Sequence, residues 1–192
     1  NGSVSEKKKL NPKNYYAFTK YKSEKILKKY SKIYNYKYGI LRYFNVAGAS
    51  PSGKIGEIEK SHGHLFKNLA VESLKFKPKI YIFGNNYNTK DRTCVRDYIH
   101  VVDLAKGHVK ALQALEKKPQ IFAVNLGTGK GYSVLDVINA FEKASGKIIP
   151  YQIVERRLGD IDSCYADPKY ALEKIDWNAK YKLDEMCEDT WR

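Results

Sequence analysis

Ile40-Leu41-Arg42-Tyr43-Phe44 decides the fold class. Arg42 apart, every residue is apolar or aromatic, without the alternation of a strand that has one wet face. Such a run reads as a strand covered on both faces, the usual strand of a parallel sheet. Before it, residues 1–13 are polar and lysine-rich and read as an exposed loop with Pro12 as its boundary. Residues 15–36 read as a long helix. Tyr16, Ile26, Leu27, Tyr30, Ile33 and Tyr34 recur at helical spacing, with lysines on the other faces. Gly39 ends the turn into the strand. After it come a loop from Gly48 to Gly63, a helix over 65–76 and a strand over 79–83 stopped by Gly84-Asn85-Asn86. A helix over 101–115, a buried strand over 121–126 and a glycine-rich loop over 127–131 follow. Ser133 caps a helix over 134–144 that Gly146 stops, and a strand over 148–154 leads to two short helices. Helices and strands alternate, which predicts an α/β fold with a mainly parallel sheet.

Composition narrows the function. The formal net charge is +14 over 192 residues, but residues 1–38 hold eleven lysines against Glu6 and Glu24. That segment contains no arginine, so forked readout of bases or phosphates is not suggested. A solvated lysine face is the better reading, and nucleic acid is not the expected partner. Cys94, Cys164 and Cys187 are odd in number and far apart, which fits a reducing compartment rather than a disulfide framework. His62, His64, His100 and His108 form no metal pattern, so no metal is expected. No leader and no membrane-length apolar run is seen, so the reading is a cytoplasmic protein without a membrane partner. Asn1-Gly2-Ser3 is a glycosylation triplet that means little without a leader.

The loop Gly127-Thr128-Gly129-Lys130-Gly131 fails both phosphate-binding patterns. Val124 and Gly131 break the P-loop spacing, and Tyr132 breaks the dinucleotide fingerprint. More chemistry lies in Tyr16-Ala17-Phe18-Thr19-Lys20. A tyrosine and a lysine four apart share a helix face, and an ammonium near a phenol favours the phenolate below its ordinary pKa of about 10. Such a tyrosine can accept a proton near neutral pH.

Three further segments follow this pair in order: Arg42-Tyr43-Phe44-Asn45-Val46-Ala47-Gly48-Ala49, Val95-Arg96-Asp97-Tyr98-Ile99-His100, and Arg156-Arg157-Leu158-Gly159-Asp160 before Cys164-Tyr165-Ala166-Asp167-Pro168. In order and spacing the four resemble the UDP-hexose 4-epimerases of the extended short-chain dehydrogenase/reductase family, from about Tyr16 to Trp191. The resemblance implies an NAD(P)-binding Rossmann-like fold with a smaller substrate-binding α/β domain. Residues 1–47 would end the cofactor-binding domain, and 48–192 would be mainly the UDP-sugar domain, some segments returning to the Rossmann core.

The resemblance also implies roles. Tyr16 is the catalytic acid/base, and Lys20 binds the nicotinamide ribose and tunes the tyrosine. Phe44 lies by the nicotinamide of NAD, and Asn45 touches substrate. His64 and Leu65 start a helix that meets the nucleotide sugar, and Tyr81, Ile82 and Phe83 form the strand that pairs with uracil. Arg96 and Arg157 grip the diphosphate, and Asp160 holds a ribose. The residue types suit this, since two guanidinium groups clamp a diphosphate with forked, charge-assisted bonds. The implied reaction interconverts UDP-glucose and UDP-galactose by transient oxidation at C4, in a homodimer. Cys164 matches a gate beside the hexose where a small residue admits UDP-N-acetylhexosamines.

Each residue also has a plainer reading: Arg96-Asp97 as an ion pair, Asp160 as a turn cap, Asn45 as a backbone partner, Phe44 as core, Cys164 as a small buried thiol. His100 and His108 read as structural. The family's glycine-rich NAD turn, its ribose-binding acid and the serine or threonine of its catalytic triad are not found, and Lys67 stands where a proline is usual. The expectation is therefore a C-terminal portion that alone binds NAD poorly and does not turn over. Two alternatives stay open: another nucleotide-sugar epimerase or dehydratase of the superfamily, and a non-catalytic basic binding module.

Overall fold

The computed structural model describes residues 2–58 and 64–192. In chain order its elements are β1 (Gly2–Val4), α1 (Tyr15–Tyr34), β2 (Tyr38–Tyr43), β3 (Asn45–Ala47), α2 (Leu65–Ser73), β4 (Ile80–Phe83) and β5 (Val95–His100). Then follow α3 (Val101–Lys117), β6 (Ile121–Leu126), β7 (Gly131–Ser133), α4 (Val134–Ser145), β8 (Tyr151–Val154), β9 (Ser163–Ala166), α5 (Lys169–Ile175) and α6 (Leu183–Trp191). Asn1, His62 and the end of the Gly48–Gly63 loop lie outside the described residues.

The parallel character expected from the Ile40–Phe44 run is present. β2 pairs in parallel with β6, Tyr38 opposite Ile121 and Tyr43 opposite Leu126. A larger sheet runs β1-β9-β5-β3, all parallel, and β7 adds to β5 as its one antiparallel partner. A third pair, β4 with β8, is also parallel. Strands distant in sequence lie side by side, as an α/β chain requires.

Local signals set the helix ends. The Asn14 side chain accepts from the Ala17 amide at 2.8 Å and caps α1. Asn35 ends α1 in the left-handed region (φ 52°), so Gly39 does not end the turn but lies inside β2. Ser133 and Asp136 form a reciprocal capping box at the start of α4, and Gly146 stops it.

Three expectations need correction. Residues 2–4 are strand, not loop, because the backbone of β9 offers them a ladder with Gly2 opposite Cys164. The segment behind them is anchored as well: Glu6 accepts from the Asn125 amide at 2.6 Å. β3, β5, β7 and β9 were not read as strands; three are too short for periodicity, and the charges of β5 hide it. Finally, β2 is only half-buried and Tyr43 is exposed, so it is not covered on both faces.

Two apolar clusters hold the fold. One joins α2, α4, α6 and β4 through Phe66, Leu69, Ile82, Phe141 and Met186. The other joins α3, α5 and β6 through Leu104, Val124, Leu126, Ile175 and Trp177. The apolar stripe of α1 enters neither. Tyr16, Ile26, Leu27, Tyr30, Ile33 and Tyr34 are all exposed, and Ser31 is the helix's one buried residue. Among the described residues nothing covers that face.

Candidate functional site

Asp97 organises the region where the candidate residues meet. It is fully buried in β5, and its carboxylate accepts from the amides of Thr128, Gly129 and Ala166, each at 3.0 Å, and from the Thr128 hydroxyl. Burial pushes its pKa up, and these donors pull it back. One side chain thus ties β5 to the 127–130 turn and to β9. Only glycine fits at 127, where a Cβ would stand 2.6 Å from the Asp97 carboxylate. The glycine loop is a structural turn, as its failed motifs indicate. Arg96 and Asp97 face different partners and form no ion pair with each other.

Arg96 points to the other side of β5. Its guanidinium donates to the Val95 and Ile161 carbonyls, both at 2.8 Å, and lies 3.7 Å from the Asp160 carboxylate. Arg157 pairs with the same carboxylate at 3.1 Å and stacks 4.7 Å over the Phe83 ring. Phe83 ends β4, in which Tyr81 and Phe83 are exposed and Ile82 is core. Arg96, Arg157, Asp160 and the strand Tyr81–Phe83 are therefore brought together: two cations around one carboxylate, beside an open aromatic strand.

Two residues that sequence reasoning missed hold this cluster. The Tyr87 hydroxyl lies 3.0 Å from the Phe83 carbonyl and 3.3 Å from the Asp160 carboxylate. Burial and then the Asp160 charge raise its pKa, so it is a donor there. Arg156 stacks 3.9 Å over the Tyr87 ring and donates to the Asp160 carbonyl at 2.7 Å. The doubled arginine at 156–157 was the available signal for Arg156; Tyr87 had none, because its contact with Asp160 spans the chain.

Two more candidates, Cys164 and Asn45, lie in the same sheet, and two, His64 and Leu65, at the start of α2. Cys164 of β9 stands in register with Arg96, half-buried, its thiol pushed up by burial while Arg96 opposes the shift. Asn45 stands opposite Tyr98, and the Tyr98 ring meets Phe66 of α2 at 5.3 Å. His64 is the N-cap residue of α2 and Leu65 its first helical residue. The exposed His64 ring contacts Glu57 at 2.8 Å and makes no cap bond.

Tyr16 and Lys20 sit on the first turns of α1. The Lys20 ammonium is 5.2 Å from the centre of the Tyr16 ring, and Tyr16 is 70% exposed. Its hydroxyl meets no partner among the described residues. The helix starts close to the arginine–Asp160 cluster, since a Cβ on Gly159, between Arg157 and Asp160, would stand 3.5 Å from the Lys13 carbonyl. Phe44 is half-buried, its amide bonded to the Leu126 carbonyl at 3.2 Å.

Two clefts, of about 350 and 460 Å³, lie elsewhere, one beside Asp91 and Asn139 and one between α3 and Trp177; no candidate residue lines either. Among the described residues no cluster of three or more His, Cys, Asp or Glu is placed to hold a metal ion, and no helix is long and apolar enough to cross a membrane.

A model of the NAD dependent epimerase/dehydratase family matches residues 1–127. The chain belongs to this family. As a family member it is similar to the UDP-glucose 4-epimerase of Bacillus subtilis, 47% identical over 98% of this chain and 56% of that one. The UDP-glucose 4-epimerase of Dictyostelium discoideum is 52% identical over 80% of this chain and 45% of its own length. The chain spans about half the length of the curated relatives it matches. Among solved structures, the Bifidobacterium longum UDP-glucose 4-epimerase in complex with NAD+ and UDP superposes with a TM-score of 0.89 at 41% identity, over 98% of this chain and 57% of that one. The fold is accordingly the α/β, Rossmann-like fold of this epimerase family.

Proposed function

We propose that the full-length protein is a UDP-glucose 4-epimerase, interconverting UDP-galactose and UDP-glucose with NAD as its cofactor. The observation that carries the reading is the pairing of Arg96 and Arg157 around Asp160 beside the strand Tyr81–Phe83. The guanidinium groups suit a diphosphate, the carboxylate a ribose diol, and the edge of the Tyr81–Phe83 strand away from β8 a uracil edge. Relatives named for this activity, at 47–52% identity, support it.

The donor set at the other end suits NAD. Tyr16 and Lys20 present a hydroxyl and an ammonium on one open helix face, and Phe44 offers a half-buried ring. When bound, NAD supplies the hydride acceptor and donor for C4 of the hexose. Tyr16 takes the proton of the 4-hydroxyl and returns it, Lys20 holds the ribose, and Asn45, His64 and Leu65 orient the sugar. Residues 1–47 then close the cofactor-binding half, and 48–192 form mainly the UDP-sugar half. The pairing of β6 with β2 supports the return of later segments to the first part. The bare stripe of α1 supports a homodimer, and the reduced cysteines a cytoplasmic setting.

Cys164 leaves more room in register with Arg96 than a large aromatic residue would, so UDP-N-acetylhexosamines are also accepted. The test is conversion of UDP-galactose to UDP-glucose by the full-length protein. No conversion in the presence of NAD would refute the reading. Turnover of UDP-galactose without any of UDP-N-acetylgalactosamine would remove the role given to Cys164.

A further inference from the structure

Lys67 carries the one buried side-chain nitrogen or oxygen that lacks a hydrogen-bond partner among the described residues. An ammonium withdrawn from water without a partner is costly, and proteins rarely leave one so. The position compounds the cost. Lys67 lies in the first turn of α2, where the helix dipole disfavours a cation. That turn contains no acidic residue, and its N-cap, His64, makes no cap bond, so among the described residues no carboxylate or cap side chain offsets the lysine there.

The start of α2 is also joined to the nucleotide cluster. Phe66, beside Lys67, packs on Tyr98 of β5. Tyr98 stands opposite Asn45, and Arg96 is two residues back on the same side of β5. Charge counting agrees. Arg96 and Arg157 share the carboxylate of Asp160 while Arg156 pairs with Asp162, so three cations meet two carboxylates and one positive charge is left over, whereas a nucleoside diphosphate ester carries a negative charge on each phosphate. The Lys67 ammonium makes up the difference.

We infer that Lys67 is a further cation of the diphosphate site, binding a phosphate of the nucleotide sugar. This rests on the function proposed above and adds a residue to its site.

The test compares UDP with uridine, which lacks the phosphates, on the full-length protein and its Lys67→Met and Lys67→Arg variants. Lys67→Met keeps the stem and removes the charge. It should weaken UDP on the order of 10- to 100-fold and leave uridine within about twofold, without lowering the melting temperature. Lys67→Arg should restore most of the UDP affinity. Unchanged UDP affinity in Lys67→Met would overturn the inference. So would an equal loss for UDP and uridine, or a lower melting temperature with UDP binding intact, which would mean that the ammonium is held inside the protein. If the wild-type protein binds no UDP at all, the proposed function falls first, and the role of Lys67 with it.

Discussion

α1 and α4 are built from the same local instructions and end in opposite situations. Each has a side-chain cap at its start and a left-handed residue at its end, and each carries an apolar stripe at helical spacing. α4 buries Val137, Ile138 and Phe141 in the core, whereas α1 buries Ser31 alone and leaves Tyr16, Ile33 and Tyr34 in the open. Helix formation is thus a local matter here, and coverage is not. The contrast divides the candidate site too. The proposed nucleotide end is cross-braced within the chain by Asp160, Tyr87 and Arg156, while the Tyr16–Lys20 end presents its groups to whatever meets α1.

The comparison breaks most visibly at Tyr16. In the full-length protein Tyr16→Phe should lower turnover on the order of 10²- to 10⁴-fold. The melting temperature of the chain should not move, because the ring is exposed. A variant that kept wild-type turnover would detach the pair from catalysis. Next in size is the core of α4. Ile138→Ala should destabilise the chain by about 2–5 kcal/mol in denaturant melts, as expected for a fully buried isoleucine.

A smaller effect comes from His100. It is fully buried at the start of α3, accepting from the Val102 amide at 3.1 Å and facing Asp189 at 3.2 Å. Burial lowers its pKa and the carboxylate of Asp189 opposes the shift, so the folded chain resists a proton that the unfolded chain accepts below about pH 6.5. The unfolded state then binds more protons. Stability is full above that pH and falls as pH drops below it, by at most about 1.4 kcal/mol per unit from this group. His100→Gln should flatten that part of a stability–pH curve; an unchanged slope would assign it to other groups. Smallest of all, Ile33→Ala on α1 should change the stability of the isolated chain by no more than about 0.5 kcal/mol. A loss as large as that of Ile138→Ala would mean that the α1 face is covered after all.

What could be read beforehand follows the same division. The capped helices and the Ile121–Leu126 strand were legible, because caps, periodicity and apolar runs are local signals. The edge strand at Gly2–Val4 and the strand at Ser163–Ala166 were not, because the first exists only through its ladder with the second, and the second through ladders with Gly2–Val4 and β5, all distant in the chain. Arg157 and Asp160 stand in one motif and Arg96 in another, and folding brings both arginines to the Asp160 carboxylate. Tyr87 was missed because its role comes from that convergence and from nothing around it in sequence. The exposure of α1 was illegible for a related reason: a stripe shows that a face is apolar, not what lies against it.

The claim that most of the account depends on is that the nucleotide end is complete within this chain. Titrating UDP into the 192-residue chain and into its Arg157→Met variant tests it most directly. The account predicts that the chain binds UDP and that loss of the guanidinium weakens binding about tenfold or more. Equal affinity for the two proteins, or no binding by the wild-type chain, would contradict it.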